Sequence, residues 1–585
     1  MKSVRGIYNS IKRFLVAEQN EIIAAAGALI LISIVTKVLG MLFLTFVTRE
    51  FGASVDTDLF YLASVLPETI TNIILLGVIS SSIIPIFIKI RENEGEKKFL
   101  ESFNSTINIS ILVFGILAIL AAIFSRQLIP LAVSIAQKTD TLSPMQLDQV
   151  VWMMRILLIP QVVLAISAFF STYLNIYQRF VVPQLAPLFF NIGKIIGVLF
   201  FVKLLDGSIW GLVWGTVFGS LLHLLIQIPL MKHLQFKLKP FWIDLKDKNF
   251  LGVLRLGLPR VISLSMEQLA VIVDSIIALS LTIGSLTSYQ LAVRLVSLPL
   301  GLFGTNFAIA SFPAFSRLHA TGQKEAFSKL FFKVLNQIIF LSLPIAVLFM
   351  VMRVPIVRLV YGIFGGEFTW DNTLLVAWIV LFFSIGLTFE GLRAAMFRVY
   401  FAIHNSIVPM FSSSFVVIAG ITTGILFSNY FSHYNEFAID MLVFHPEYFL
   451  SRGNGVAGAA GLALSSSLVY SIEFIFLLIM LAKMKIIFNL KSFLIDLAKK
   501  FLAAAIMMVV CYFMAKLWEE VLNTTRTFQL IFLSFTTMIS AIMIYFWSSY
   551  VLKIPEGDQF LNYANRNFKK LWLKLFAPNH VPPVA

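Results

Sequence analysis

Long apolar runs separated by short polar segments dominate the chain. Crossing a hydrocarbon core takes about 20 helical residues. Stretches of that kind predict membrane helices at 22–48, 58–88, 104–125, 149–176, 181–204, 208–231, 251–282, 286–315, 328–352, 373–400, 406–428, 456–482, 493–517 and 527–551. The expected fold is an all-α polytopic membrane protein of about 14 transmembrane helices. Ahead of them, Ile7, Ile11, Phe14 and Leu15 follow i, i+4, i+7, i+8 spacing opposite Lys2, Arg5, Lys12 and Arg13. That spacing predicts an amphipathic helix over 1–20 on the cytoplasmic membrane surface, with no cleavable signal.

Lysine and arginine set the orientation, because cytoplasmic loops are enriched in them. They crowd the N-terminus and the segments 89–98, 232–248, 317–333, 483–500 and 553–574, whereas the intervening loops hold two or fewer each. Both termini are therefore expected in the cytoplasm. The spans also repeat. Leu66-Pro67 and Pro85 have counterparts in Leu298-Pro299 and Pro313; Asn175, Arg179 and Pro183 are echoed at equal spacing by Phe401, Asn405 and Pro409; Gly211, Gly215 and Gly219 resemble Gly458, Gly461 and Ser465. The shared order predicts two six-helix lobes in pseudo-twofold repeat, an N-lobe over 21–232 and a C-lobe over 250–485. Two further helices over 490–552 and a basic cytoplasmic tail over 553–585 follow. Parallel repeats of this design place a transporter's substrate site between the halves, near the midplane.

Composition narrows the class further. Hydrophobic residues make up 59% and charged residues 13%, with a mean hydropathy of +0.89, far from a soluble domain. The net charge of +15 is carried by loop residues that form no basic face, so nucleic acid is not an expected partner. Cys511 is the single cysteine, which excludes an intrachain disulfide and a cysteine metal cluster. No HExxH, Walker loop or nucleophile elbow appears, so neither catalysis nor a metal or organic cofactor is expected.

The informative residues are charges inside the apolar stretches: Lys37, Arg260, Glu267, Asp274 and Arg294. Each costs about 2.5–3.5 kcal/mol at a helix centre unless it meets a partner or a polar cavity. Arg260, Glu267 and Asp274 are spaced by seven and so share one helical face. Two readings stay open: a cavity wall, or a structural network in which Glu267 and Asp274 neutralise Arg294 and Lys37. Lys194 either enters the cavity or snorkels, and Glu68 and Arg155 are equally open. Glu390 and Arg393 read as an i, i+3 pair, Glu473 has no evident partner, and His223 and His404 look isolated. The long connection 429–455 reads as a lid or partner surface.

Read in order, the motifs Thr36-Lys37-Val38-Leu39-Gly40, Phe51-Gly52-Ala53, Thr57-Asp58, Leu66-Pro67, Ile84-Pro85, Leu174-Asn175, Arg179-Phe180, Pro187, Asn191, Leu258-Pro259-Arg260, Gln268, Arg294-Leu295, Leu298-Pro299 and Phe312-Pro313 carry a resemblance. Together with Arg398, Tyr400 and Pro409 they resemble the MurJ/MviN-type lipid II flippases of the multidrug/oligosaccharidyl-lipid/polysaccharide exporter superfamily, over about residues 25–550. The resemblance implies a protein of the bacterial inner membrane. It would carry an undecaprenyl-pyrophosphate-linked peptidoglycan precursor from the cytoplasmic to the periplasmic leaflet by alternating access. A cationic cavity would hold the headgroup, the last two helices the lipid tail, and cell-wall synthesis proteins would be partners. Arg294 matches the family's cavity arginine, Lys37 replaces an arginine, and Asp58 matches an acidic residue. Phe43, Leu44 and Thr71 stand where the family has further charges, and Arg260 and Lys194 are candidates to restore positive charge. Glu267 and Asp274 are candidates for coupling to Na⁺ or H⁺, with membrane potential as the other driving force. The alternatives are a flippase for another polyprenyl-pyrophosphate oligosaccharide of the O-antigen or capsule type, a multidrug cation antiporter, and a scaffold that recruits wall enzymes.

Overall fold

A computed structural model describes residues 22–74, 83–134, 142–239, 242–244, 265–266, 268–405, 407–433, 457–487, 490–524 and 526–559. Among them every regular element is a helix, and eleven helices are long and apolar enough to cross a membrane. The chain is therefore a multi-pass membrane protein. In order, the helices are α1 (Ile22–Phe51), α2 (Val55–Ile74), α3 (Ile83–Ile123), α4 (Ser125–Ser134), α5 (Pro144–Ile176) and α6 (Val181–Ile196). Next come α7 (Trp210–Leu225), α8 (Ile228–His233), α9 (Gln268–Leu279), α10 (Ser285–Pro299), α11 (Asn306–Ala320) and α12 (Lys324–Val351). The last are α13 (Arg353–Tyr361), α14 (Trp370–Ala402), α15 (Ile407–His433), α16 (Gly458–Lys483), α17 (Leu490–Val521) and α18 (Thr527–Val551). The amphipathic segment 1–20 and most of the connection 429–455 lie outside the described residues.

The helices agree with the expected spans wherever both are described, and the differences lie in the connections. The polar segment 89–98 is mostly helical, and the connection expected there narrows to Gly95 (φ 86°, ψ 168°), where two helices meet within α3. Two short helices, α4 and α13, lie where connections were expected. α6 continues through a π-helical turn at Gly197–Phe201, and α10 passes into α11 through another at Leu300–Thr305. The start of α5 is fixed by a capping box in which Ser143 and Gln146 satisfy each other's backbone N–H groups, with Pro144 in the first turn.

The chain divides into two compact units. The first comprises Met1–Leu291, Val360–Val376 and Ser413–Leu462. Within it α6 and α7 pack through glycines: a Cβ added to Gly193, Gly197, Gly215 or Gly219 would collide with the facing backbone. Between membrane helices, where lipid is as apolar as the side chains, such close backbone approach supplies much of the packing energy. A similar close approach joins α15 and α16, where a Cβ on Gly461 would meet the backbone of Phe427. Near its polar end, α3 holds the extended segment after α8. Asn104 receives Lys239 N–H (2.8 Å), Asn108 donates to Lys239 O (2.7 Å) and Trp242 O (3.1 Å), and Ser105 receives Asp244 N–H (2.8 Å). Beside them Phe87, Phe99, Phe103, Tyr173 and Phe236 form an aromatic core. Tyr177 donates to Glu96, which also pairs with Arg91 at 2.9 Å. Burial, then Glu96, pushes the Tyr177 phenol above its ordinary range, so it remains a donor at physiological pH.

The second unit comprises Ala292–Leu359, Ala377–Ser412 and Ala463–Ala585. Its core joins α12, α14, α16, α17 and α18 around Phe331, Leu335, Ile338, Tyr400, Leu477 and Tyr545. The two buried phenols are satisfied, Tyr400 donating to Leu477 O (2.8 Å) and Tyr545 to Phe340 O (3.0 Å).

Candidate functional site

The Thr36–Gly40 motif lies where α1 packs on α6. Asn191 Nδ2 donates to Thr36 O at 3.0 Å, and its amide sits over Gly40, where a Cβ would be 3.5 Å away. This contact holds two spans together and fixes the rotation of α1. Lys37, next to Thr36, is partly buried and makes no hydrogen bond or ion pair among the described residues. One helical turn beyond Gly40, Phe43 and Leu44 are buried at 4% and 3% exposure. Lys194 of α6 places its Nζ 3.8 Å from the centroid of the Phe43 ring and 5.3 Å from that of Phe190. An ammonium over an aromatic face is attracted by the ring quadrupole. The ring at 43 thus positions a lysine from the neighbouring span.

Thr71 is likewise built into the protein. Its hydroxyl donates to Gln161 Oε1 of α5 at 2.8 Å, and both residues are buried. A neutral pair here joins α2 to α5.

Asp58 is almost fully enclosed. Its carboxylate receives Gly284 N–H at 2.7 Å, Thr287 N–H at 2.7 Å and the Thr287 hydroxyl at 2.6 Å. The donors belong to the start of α10, where open N–H groups and the helix dipole favour an anion. Gly284 has φ +82°, and a Cβ there would strike Ala53 O, so the turn that presents this N–H requires glycine. Asp58 clamps the start of α2 to the turn before α10. Three donors already satisfy it.

Asp274 on α9 accepts from Tyr289 Oη at 3.0 Å, beside a Gln290–Ser275 bond of 3.2 Å. Arg294 belongs to the second unit and is partly buried on α10, shortly before Pro299 and the π-helical turn. Within that unit the turn is pressed against α14, where a Cβ on Gly304 would lie 2.8 Å from Gly391 Cα. Arg260 and Glu267 lie outside the described residues.

Two polar groups, Glu473 and His223, turn out differently from the sequence reading, and Arg393 has partners beyond its own helix. Glu473, fully buried, has partners: Arg393 at 3.3 Å and the Ser412 hydroxyl at 2.9 Å. Arg393, read as a local i, i+3 partner, also lies over the Tyr470 ring at 4.6 Å. His223 is not isolated, since its Nδ1 is 2.7 Å from Ser167 Oγ, which in turn receives Gln227 Nε2 at 2.6 Å. Arg155 donates to Ala122 O and Ser125 Oγ, fixing the corner between α3 and α4. These partners are 30 to 80 residues apart in the chain, beyond the reach of helical periodicity. Among the described residues no cluster of His, Cys, Asp and Glu has the makings of a metal site.

A family model described as lipid II flippase MurJ matches residues 47–443, more than half of the chain. The chain belongs to the MurJ family. A MurJ relative from Buchnera aphidicola subsp. Acyrthosiphon pisum (strain APS), named a probable lipid II flippase, is 23% identical over 485 residues, covering 82% of this chain and 88% of the relative. A solved lipid II flippase MurJ in an inward closed conformation superposes with a TM-score of 0.67 at 22% identity, covering 89% of this chain and 98% of that one. An inward-facing multidrug resistance MATE transporter of the MOP superfamily gives 0.60 at 13% identity, covering 77% and 95%. These two likenesses show the fold. MurJ membership makes the chain a member of a transporter family.

Proposed function

We propose that this protein is a lipid II flippase of the bacterial inner membrane, moving the undecaprenyl-pyrophosphate-linked headgroup from the cytoplasmic to the periplasmic leaflet by alternating access, without enzymatic chemistry. The observation that carries the reading beyond family membership is Lys37, a partly buried cation at mid-span with no partner among the described residues, at the family's arginine position. A diphosphate cannot cross hydrocarbon unaided, and a lysine held ready in an apolar helix offsets its charge. Lys194, aimed by Phe43, supplies a second positive charge from α6. Arg294 supplies a third, and Arg260 is the remaining candidate. Asp58 serves by clamping. Asp274 with Tyr289, and Glu267, are the groups for Na⁺ or H⁺ coupling, with membrane potential as the alternative. The distribution of Lys and Arg supports cytoplasmic termini, and cell-wall synthesis proteins are the natural protein partners.

The neutral Phe43 and the Thr71–Gln161 pair favour one alternative, a different polyprenyl-pyrophosphate oligosaccharide, since they leave a less cationic site. Reconstitution into vesicles with each labelled lipid separates the two. Transport of lipid II is expected, and transport of only the non-peptidoglycan lipid would reject the first reading. Arg294→Ala is expected to abolish complementation of a flippase-depleted strain at normal protein level; unaffected growth would remove Arg294 from the site.

A further inference from the structure

In the second unit, the starts of α12 and α17 and the segment after α18 enclose a cleft of about 870 Å³. Positive-inside reasoning puts all three on the cytoplasmic side. Behind the lining residues Asn336 and Glu556 lies Lys500, whose side chain is fully buried. Its Nζ donates to Asn336 Oδ1 at 2.8 Å and pairs with Glu556 Oε2 at 3.1 Å. Asp496, one turn before Lys500 on α17, also lines the cleft, so two carboxylates accompany one buried cation there. The rim is different. Lys329 and Lys333, one turn apart on α12, are exposed and make no ion pair or hydrogen bond among the described residues. Ser492 and Phe493 bring the first turn of α17, with its open N–H groups, to the same cleft. Glu325 completes the wall.

A simple anion would meet the two carboxylates, and a simple cation would meet the lysines of the rim. A short zwitterion complements both. We propose that this cleft binds a phosphate ester with a primary ammonium two carbons away, the phosphoethanolamine group, its ammonium on Glu556 and Asp496 and its phosphate against Lys329, Lys333 and the start of α17. A primary ammonium brings three donors to the two carboxylates, which a trimethylated one lacks. The group reaches the cleft either as the headgroup of phosphatidylethanolamine or as free phosphoethanolamine. The site is separate from the residues assigned to transport and does not depend on which lipid is carried.

Native mass spectrometry of the purified full-length chain, titrated with phosphatidylethanolamine, phosphatidylcholine and phosphatidylglycerol of matched acyl chains and with free phosphoethanolamine, tests the proposal. The ethanolamine lipid should be retained about tenfold better than the other two. K329A/K333A, which changes exposed and unpaired residues, should remove that preference without lowering the melting temperature. Displacement of the lipid by free phosphoethanolamine assigns the soluble source, and retention against it assigns the membrane source. Equal retention of the three lipids with no binding of free phosphoethanolamine, or a preference that survives K329A/K333A, overturns the proposal.

Discussion

Lys37 and Lys500 are the same side chain set in apolar helices of the two units, and the protein treats them in opposite ways. Lys500 is wholly enclosed, with a carboxylate and an amide oxygen within hydrogen-bonding distance. Lys37 is only partly enclosed and has no such partner among the described residues. The buried Glu473, held by Arg393 and Ser412, follows the pattern of Lys500. Burying a charge is tolerable when the protein itself completes its coordination, and such a charge then belongs to the architecture. A charge left incomplete keeps its coordination for something that arrives later. Saturation is the feature by which Lys37 differs from Lys500, and it is what singles out Lys37 as a proposed substrate contact.

The contrast can be broken from either side. Lys37→Ala should have the largest effect, a loss of growth in a flippase-depleted strain with protein level unchanged, while Lys37→Arg should sustain growth; normal growth of the alanine variant would end the comparison. Lys500→Met should instead destabilise the protein by about 3 kcal/mol, because it strands Glu556, and should leave transport per folded molecule intact. Thermal unfolding in detergent measures the first half of that statement and vesicle transport the second. Asp58→Asn keeps the shape but turns an acceptor into a donor facing N–H groups, so a loss of about 2 kcal/mol is expected in the same unfolding assay. Thr71→Val removes one neutral hydrogen bond to Gln161 and should cost about 1 kcal/mol, with transport retained. A transport defect from Thr71→Val at full stability would move that position from packing into the headgroup site.

Much of the architecture was legible in the sequence, because a membrane helix must satisfy its backbone internally and show an apolar surface for its full length. Glycines of α7 and α16 both allow close approach of a neighbouring backbone. What stayed hidden was pairing. Periodicity reports neighbours within a helix, so it offered nothing for Glu473, whose partner Arg393 lies on another span. Phe43 read as a missing charge; only packing shows that its ring holds the ammonium of Lys194. Asp58 was noticed for its motif, but its task depends on Gly284 and Thr287, more than two hundred residues away. That the connection at 89–98 shrinks to Gly95 was not legible, because a charged helical turn and a charged loop share one composition.

The strap that Asn104, Ser105 and Asn108 hold against α3 bears on the order of synthesis. Residues 237–244 leave the ribosome after the first six expected spans, and their backbone groups find acceptors and donors on a helix already made. The connector can therefore dock on α3 before the second half exists, whereas Asp58 must wait for Gly284 and Thr287. A nascent chain can complete one assembly step at that point, using nothing from the residues still to be translated.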